Sequence, residues 1–280
     1  MNDLIVDHFQ LRRHPFSVEI DAEALYPFQS FQQGTLRLEQ ATHARSPVLV
    51  IAEPGAGKTA LIRAYCKRLA NSSFEIRHQL VVLTKNPIRP LLDGFLQGFG
   101  EHIPFNNPAR SLELLKNCLA KLYEQGRLPI LLIDDAHHLN AVGWLILKAL
   151  MNYDLDSKLP CLLIFMGKPE TLRVLGLNEV QEVRERLGLC YHLRPLKVQE
   201  VEPFLEKRLR WAGLKTQIFP TDIAEQIWKH AQGNPRRINR LAEKCLLAAA
   251  SAKKDLIDGP CLQQAVSEMQ FHLPREEDSQ

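Results

Sequence analysis

The stretch IAEPGAGKTA, residues 51–60, nearly matches G-x-x-x-x-G-K-[ST], a loop that wraps phosphate. Gly57, Lys58 and Thr59 hold the last three positions, but Ala52 stands where the first glycine belongs. Such a loop turns backbone N–H groups onto phosphate oxygens, and the helix after it aims its N-terminus at them. Glu53, Pro54, Gly55 and Ala56 supply the turn, Gly57 the close backbone approach, and Ala60 belongs to the first helical turn. Lys58 is placed to neutralise β and γ phosphates, and Thr59 to set a hydroxyl on Mg²⁺. Ala52 falls where strand gives way to loop, so extended angles suffice there; forcing it to positive φ would cost roughly 1–2 kcal/mol. The flanks agree with this use of the loop. PVLVIA (47–52) is a buried-strand run, and Leu61, Ala64, Tyr65 and Leu69 recur at helical spacing. Strand, glycine loop and helix in that order bind a nucleoside triphosphate, here read as ATP.

A loop of this kind needs an acidic partner, and LPILLIDDAHHL (128–139) supplies one. Asp134 ends a run of four apolar residues, where it would hold Mg²⁺ directly or through water. Asp135 would then orient or deprotonate the attacking water. Either Asp also suits a strand end or a helix N-cap; their position one strand beyond a phosphate loop favours the chemical role. His137 and His138 read as residues opening the next turn, with no metal-ligand spacing around them.

With 280 residues, 45% hydrophobic and 24% charged, the chain has the composition of an ordinary globular protein with room for one large or two modest domains. Its net charge of +3 is compatible with nucleic acid without arguing for it. The six cysteines form no C-x-x-C pair, which fits reduced thiols in the cytoplasm better than a disulfide framework or a zinc site. No apolar run approaches about 20 residues, so no membrane span is expected, and the N-terminus does not read as a secretory signal.

Further apolar runs place the other elements. HQLVVLT (78–84) reads as a second buried strand, PILLID (129–134) as a third, LPCLLIFMG (159–167) as a fourth and CYHL (190–193) as a short fifth. A helix is expected near 30–44, another from the loop to about Asn71, a short one over LLDGFLQGFG (91–100) and an amphipathic one through Leu112, Leu115, Leu119 and Leu122, ending near Gly126. FNNP (105–108) reads as a turn. The pattern predicts an α/β class with a five-stranded parallel sheet between helices. After Pro195 only helices are expected, over 198–213, 221–232, 235–252 and 259–269, followed by a polar tail, PREEDSQ. The expected organisation is an N-terminal segment and first helix over 1–46, a phosphate-loop core over 47–195, a helical lid over 196–270 and the tail over 271–280.

Four ordered motifs resemble those of the AAA+ ATPases, and more closely the ExeA-type (GspA-like) group. They are DHFQLRRHPFSVEIDAEALY (7–26), MGKPETL (166–172), VRERLGLCYHLRPL (183–196) and GNPRRINRLAEKCLLAA (233–249). The resemblance spans residues 7 to 250 and implies an AAA+ (ASCE P-loop) core with a C-terminal all-helical lid. It implies roles that spacing does not. Arg236 matches a sensor-2 arginine that carries lid position to the γ phosphate. Arg186 matches an arginine finger reaching a neighbouring subunit, with Arg184 as the alternative. Lys168 stands at the sensor-1 position after the fourth strand, where Asn or Thr is usual. Pro15 and Phe16 fall where the family's N-terminal segment covers adenine. Most AAA+ proteins have Glu where this chain has Asp135, one methylene shorter. Misplacing a catalytic group by about 1 Å can lower the rate about a hundredfold, so slow hydrolysis relieved by a partner is expected.

The resemblance leaves three functions open. The first is a regulator of the TnsC, MuB and IstB kind, which assembles on double-stranded DNA with ATP and directs a transposase; the expected absence of a membrane span favours it. A second is a secretion-type or other assembly ATPase, as in ExeA, and the third a nucleotide-binding scaffold with negligible turnover. Under the first, partners would be double-stranded DNA, a transposase and further copies in a ring or helix. The loop after the second strand, with Thr84, Lys85, Asn86 and Arg89, is the candidate DNA surface, touching phosphate instead of base edges.

Overall fold

The computed structural model describes residues 3–17, 24–69, 73–101, 107–151 and 160–269. The turn expected at 105–108 lies partly, and the polar tail wholly, outside the described residues. The chain divides into two compact units, one of residues 31–194 and one of residues 1–30 with 195–280.

The first unit is built on five parallel strands, β1 (Val48–Ile51), β2 (Phe74–Leu80), β3 (Leu128–Asp134), β4 (Leu162–Gly167) and β5 (Leu189–His192), in the order β2-β3-β4-β1-β5. The three central strands are apolar almost throughout because both their faces are covered. Leu49, Ile51, Leu131, Ile133, Leu163 and Phe165 share one core cluster with Phe95 of α4 (Ile88–Gly98), Leu115 of α5 (Pro108–Glu124), Leu147 of α6 (Ala141–Met151) and Val183 of α8 (Gln181–Arg186). Each such buried side chain contributes about 1.5–3 kcal/mol. Helices α2 (Gln29–Ala44) and α3 (Lys58–Arg68) meet through a buried hydrogen bond of 2.5 Å between the Thr42 and Tyr65 hydroxyls. A short helix, α7 (Thr171–Leu175), follows β4.

The second strand departs from its expected place. HQLVVLT is not a buried strand; β2 starts earlier, at Phe74, and is an edge strand of alternating exposure. Pairing with β3 ends where Leu80 faces Asp134, so of the next three residues only Val81 is buried, and Leu83 is 74% exposed. Polar residues carry the strand itself. Glu75 is buried, and its charge is met by Arg77 from the same strand and Arg127 from the approach to β3. Helix α4 also begins three residues before the expected LLDGFLQGFG, because Pro90 is tolerated in a first turn, where the missing N–H has no partner to lose. The apolar stretch AVGWLILKALM, not singled out in the sequence, forms α6.

The second unit is helical. It holds α1 (Leu4–His8), α9 (Val198–Ala212), α10 (Thr221–Ala231), α11 (Pro235–Ser251) and α12 (Gly259–Met269), the last four within about a residue of the expected spans. Leu196 and the GNP turn lock together. Trp228 Nε1 donates to Leu196 O at 2.9 Å, and Leu196 N donates to Gly233 O at 2.9 Å. Asn234 then caps α11 by accepting from Arg236 N and Arg237 N, with Pro235 at the first helical position. Gly233 has φ 68, and a Cβ there would lie 2.1 Å from Leu196 O. Gly233→Ala therefore combines left-handed strain with a backbone clash and is expected to lower stability by about 1–3 kcal/mol. Thermal unfolding followed by circular dichroism checks this; an unchanged midpoint would show that the turn tolerates a side chain.

Candidate nucleotide site

The phosphate loop begins where β1 stops hydrogen bonding on both sides. Ala52 N still donates to Gly167 O at 3.1 Å, which holds Ala52 in line with the strand. Among the described residues the non-glycine positions of positive φ are Gln10, Arg45, Asp135, Gln232 and Lys253, so Ala52 carries none of the strain a turn glycine would relieve. Gly55 (φ 83) and Gly57 (φ 103) make the turn instead. A Cβ built on Gly57 meets no atom within 4 Å, so the loop is open on its Gly57 side, at the N-terminus of α3. Lys58 Nζ folds across that side to donate to Ala52 O at 2.8 Å. Its burial draws the amine below the ordinary lysine value, while Asp134 and Asp135 oppose that shift.

The acids stand opposite. β4 lies between β1 and β3, so Asp134, the last residue of β3, is brought to the same sheet edge as the loop. Asp134 Oδ1 accepts from Asp135 N at 2.8 Å, and Oδ2 lies 3.6 Å from His78 Nε2 on β2. Burial pushes the Asp134 carboxyl up, but His78, the Asp135 N–H and Lys58 together hold it below the usual carboxylate range. Asp135 adopts the left-handed conformation (φ 52, ψ 38), which places the next residues in a 3₁₀ turn, Ala136–His138. Lys168, directly after β4, lies in the same electrostatic neighbourhood, acting on both Lys58 and His137.

This donor set fits a Mg²⁺–triphosphate group. The loop is open at Gly57, the Lys58 ammonium rests on a backbone carbonyl, and Asp134 is an anion acting on that ammonium. Thr59 lies exposed in the first turn of α3. Thr59 and Asp134 would hold Mg²⁺, whose charge offsets that of the β and γ phosphates.

Arg184 Nη1 donates to Leu175 O at 2.9 Å, and Arg186 ends α8 within the field of Glu182. Arg236 is exposed in the first turn of α11, in the helical unit. Phe16, also in that unit, is buried beneath the Arg208 guanidinium, 5.8 Å from its ring centroid. Thr84, Lys85 and Asn86 are exposed, and Arg89 Nε is 3.5 Å from Asp93 Oδ2. Sequence pattern offered no reason to pick His78, which reaches Asp134 across strands, and it assigned His137 only to a turn. The His137 side chain is largely covered, and its Nδ1 lies 3.8 Å from Asp135 Oδ1.

Residues 41–175 match the family described as AAA domain. The chain superposes on Cdc6p from Pyrobaculum aerophilum with a TM-score of 0.71 at 18% identity, covering 92% of this chain and 71% of that one. The fold is that of the AAA+ ATPases. A structure of Drosophila ORC bound to DNA is similar at TM-score 0.70 and 16% identity, over 95% of this chain and 66% of that one. The RuvB Holliday junction branch migration motor of Thermotoga maritima gives 0.56 at 23%, over 86% and 68%. Identities this low speak for the AAA+ fold alone. In sequence, General secretion pathway protein A of Aeromonas hydrophila is 27% identical over 248 residues, 86% of this chain and 44% of that protein. The chain thus spans under half the length of that relative. No helix among the described residues is long and apolar enough to cross a membrane.

The geometry predicts opposite outcomes at two loop positions. Lys58→Ala should abolish binding of a fluorescent ATP analogue, because Lys58 is the cation the loop itself supplies. Ala52→Gly should change affinity by about 1 kcal/mol at most, since no positive φ awaits relief. A large gain from Ala52→Gly would show that the loop is impaired as it stands.

Proposed function

We propose that this protein is an ATP-gated AAA+ regulator that assembles on double-stranded DNA, hydrolyses ATP slowly and directs a transposase to its target. The observation that carries the ATPase part is the convergence of Lys58, Asp134 and Asp135 at one sheet edge beside an open phosphate loop. Lys58 binds the phosphates, Asp135 orients the attacking water, and Arg186 of a neighbouring copy completes the site. Arg236 reports the γ phosphate to the helical unit. The short Asp135 side chain keeps basal turnover low until a partner tightens the site.

Several observations support DNA as the ligand. Thr84, Lys85 and Asn86 are exposed, with the half-buried Arg89 one turn further on. The Arg89–Asp93 pair is a partly exposed i,i+4 contact, worth about 0.3–0.5 kcal/mol, and phosphate can displace it. One structural neighbour was solved bound to DNA. The transposase assignment rests on the resemblance to target-selection ATPases. A secretion role is the second reading, favoured by the General secretion pathway protein A match.

Hydrolysis should separate from binding. Asp135→Asn and Arg186→Ala should each retain ATP and lose turnover, and mixing the two variants should restore part of it if the finger acts between copies. No recovery at any ratio would indicate a site complete within one chain.

DNA binding should require the ATP analogue, tolerate any sequence and fall steeply with salt, because counterions are released from phosphate. A net charge of +3 gives one copy little grip, so side-by-side assembly must multiply the contacts. Fluorescence anisotropy with duplex DNA at several salt concentrations tests this. Lys85→Ala with Arg89→Ala should weaken binding to all sequences and flatten the salt slope while leaving ATP affinity unchanged. Undetectable binding at low salt would favour the secretion role.

A further inference from the structure

Behind the acidic strand the 3₁₀ turn buries a polar ring that the proposed chemistry has not used. His138 N donates to Asp135 O at 2.9 Å and Leu139 N to Ala136 O at 3.1 Å, closing the turn. That closure folds the His137 ring inward, leaving its side chain 8% exposed. Among the described residues neither ring nitrogen has a hydrogen-bond partner. Nδ1 lies 3.8 Å from Asp135 Oδ1, too long for a hydrogen bond. The charged and titratable groups acting on the ring are Asp135, His138, Lys168 and Lys58, and the His138 ring packs on it at 4.0 Å between centroids.

The end of β4 is shaped around this turn. A Cβ on Gly167 would lie 2.2 Å from Thr171 Oγ1, a clash, and 3.6 Å from His137 N, in ordinary contact with the turn. As a filler of space His137 is a poor choice. Two buried ring nitrogens without partners lose their hydration and gain nothing, whereas an aliphatic side chain would fill the same volume without that loss. Burial together with the neighbouring cations lowers the His137 pKa, so the ring is neutral near pH 7 and one nitrogen carries a proton to donate.

We infer that His137 is the positioning residue for Asp135, donating from Nδ1 to Oδ1 when the site closes on ATP. This rests on the ATPase activity proposed above. Catalytic hydrogen bonds are often long in a ligand-free site and tighten in the reacting complex. Once Oδ1 is held, Oδ2 is left for the water. The water oxygen bonds to the γ phosphorus while the bond from that phosphorus to the β–γ bridging oxygen breaks. The bonding pair leaves with ADP, and the water proton passes to Asp135 Oδ2. His137 keeps its proton throughout. An acid one methylene shorter than glutamate is thus fixed by a second side chain that the 3₁₀ turn delivers.

His137→Ala and His137→Asn test the assignment, because the Asn amide nitrogen can occupy the Nδ1 position. With Ala, kcat for ATP should fall about tenfold or more while KM and the affinity for a fluorescent ATP analogue stay within about twofold. Asn should restore at least about half of the lost rate. Unchanged turnover in His137→Ala overturns the positioning role alone. An equal loss in both variants, with lowered melting temperatures and raised KM, makes His137 a structural residue and likewise overturns it. Wild-type protein that binds the analogue but never hydrolyses ATP removes both this role and the ATPase activity on which it rests.

Discussion

The site depends on register. Ile51 is opposite Gly167 and Ile133 opposite Phe165, so β4 fixes how far the phosphate loop and the acidic strand extend past the sheet. A slip of one residue would turn every side chain of a strand to the other face. Here both faces of β1, β3 and β4 are buried, so a slip would also have to repack two layers of helices. That double burial is what holds Lys58 within the field of Asp134 and Asp135. The phosphate loop and the acidic strand end need no flexible assembly, because the packing of these strands has already aligned them.

Legibility in the sequence followed from this burial. Strands β1, β3 and β4 were readable because apolar runs with no polar face have few alternatives once a glycine loop or an acid marks their ends. The C-terminal helices were readable because each has a buried stripe, as Val201, Phe204, Leu205 and Leu209 form in α9. Helix α6 and strand β2 escaped for opposite reasons. Helix α6 is apolar nearly all round, so the helical period is hidden. Strand β2 is largely polar, and the apolar run continues past its end, through Val81, Val82 and Leu83. Its one deeply buried acid, Glu75, is intelligible only once Arg127 is seen to arrive from another segment.

The candidate site divided along the same line. Loop and acids were legible because they are contiguous in sequence and their roles dictate residue type. His78 and His137 were not, because each acts through a contact that folding creates. His78 reaches Asp134 across a strand pair, and His137 returns to Asp135 only because Asp135 takes left-handed angles. An Asp tolerates those angles better than most side chains, since its short polar group can bond locally. The shorter acid and the tight turn after it are therefore one feature. The conformation that brings His137 back is one that aspartate accepts readily.

The missing first glycine finds its explanation in the same geometry. In a loop that needed positive φ at residue 52, alanine would be strained and its carbonyl would point elsewhere. With Ala52 held in line with β1 by Gly167, its carbonyl oxygen faces the loop and accepts the Lys58 ammonium at 2.8 Å. That bond satisfies a half-buried ammonium whose pKa burial lowers. A phosphate entering the cradle exchanges one acceptor for a stronger, charged one, and Lys58 has only to swing across its own loop. Alanine at this position thus leaves the loop intact and gives its lysine a resting place.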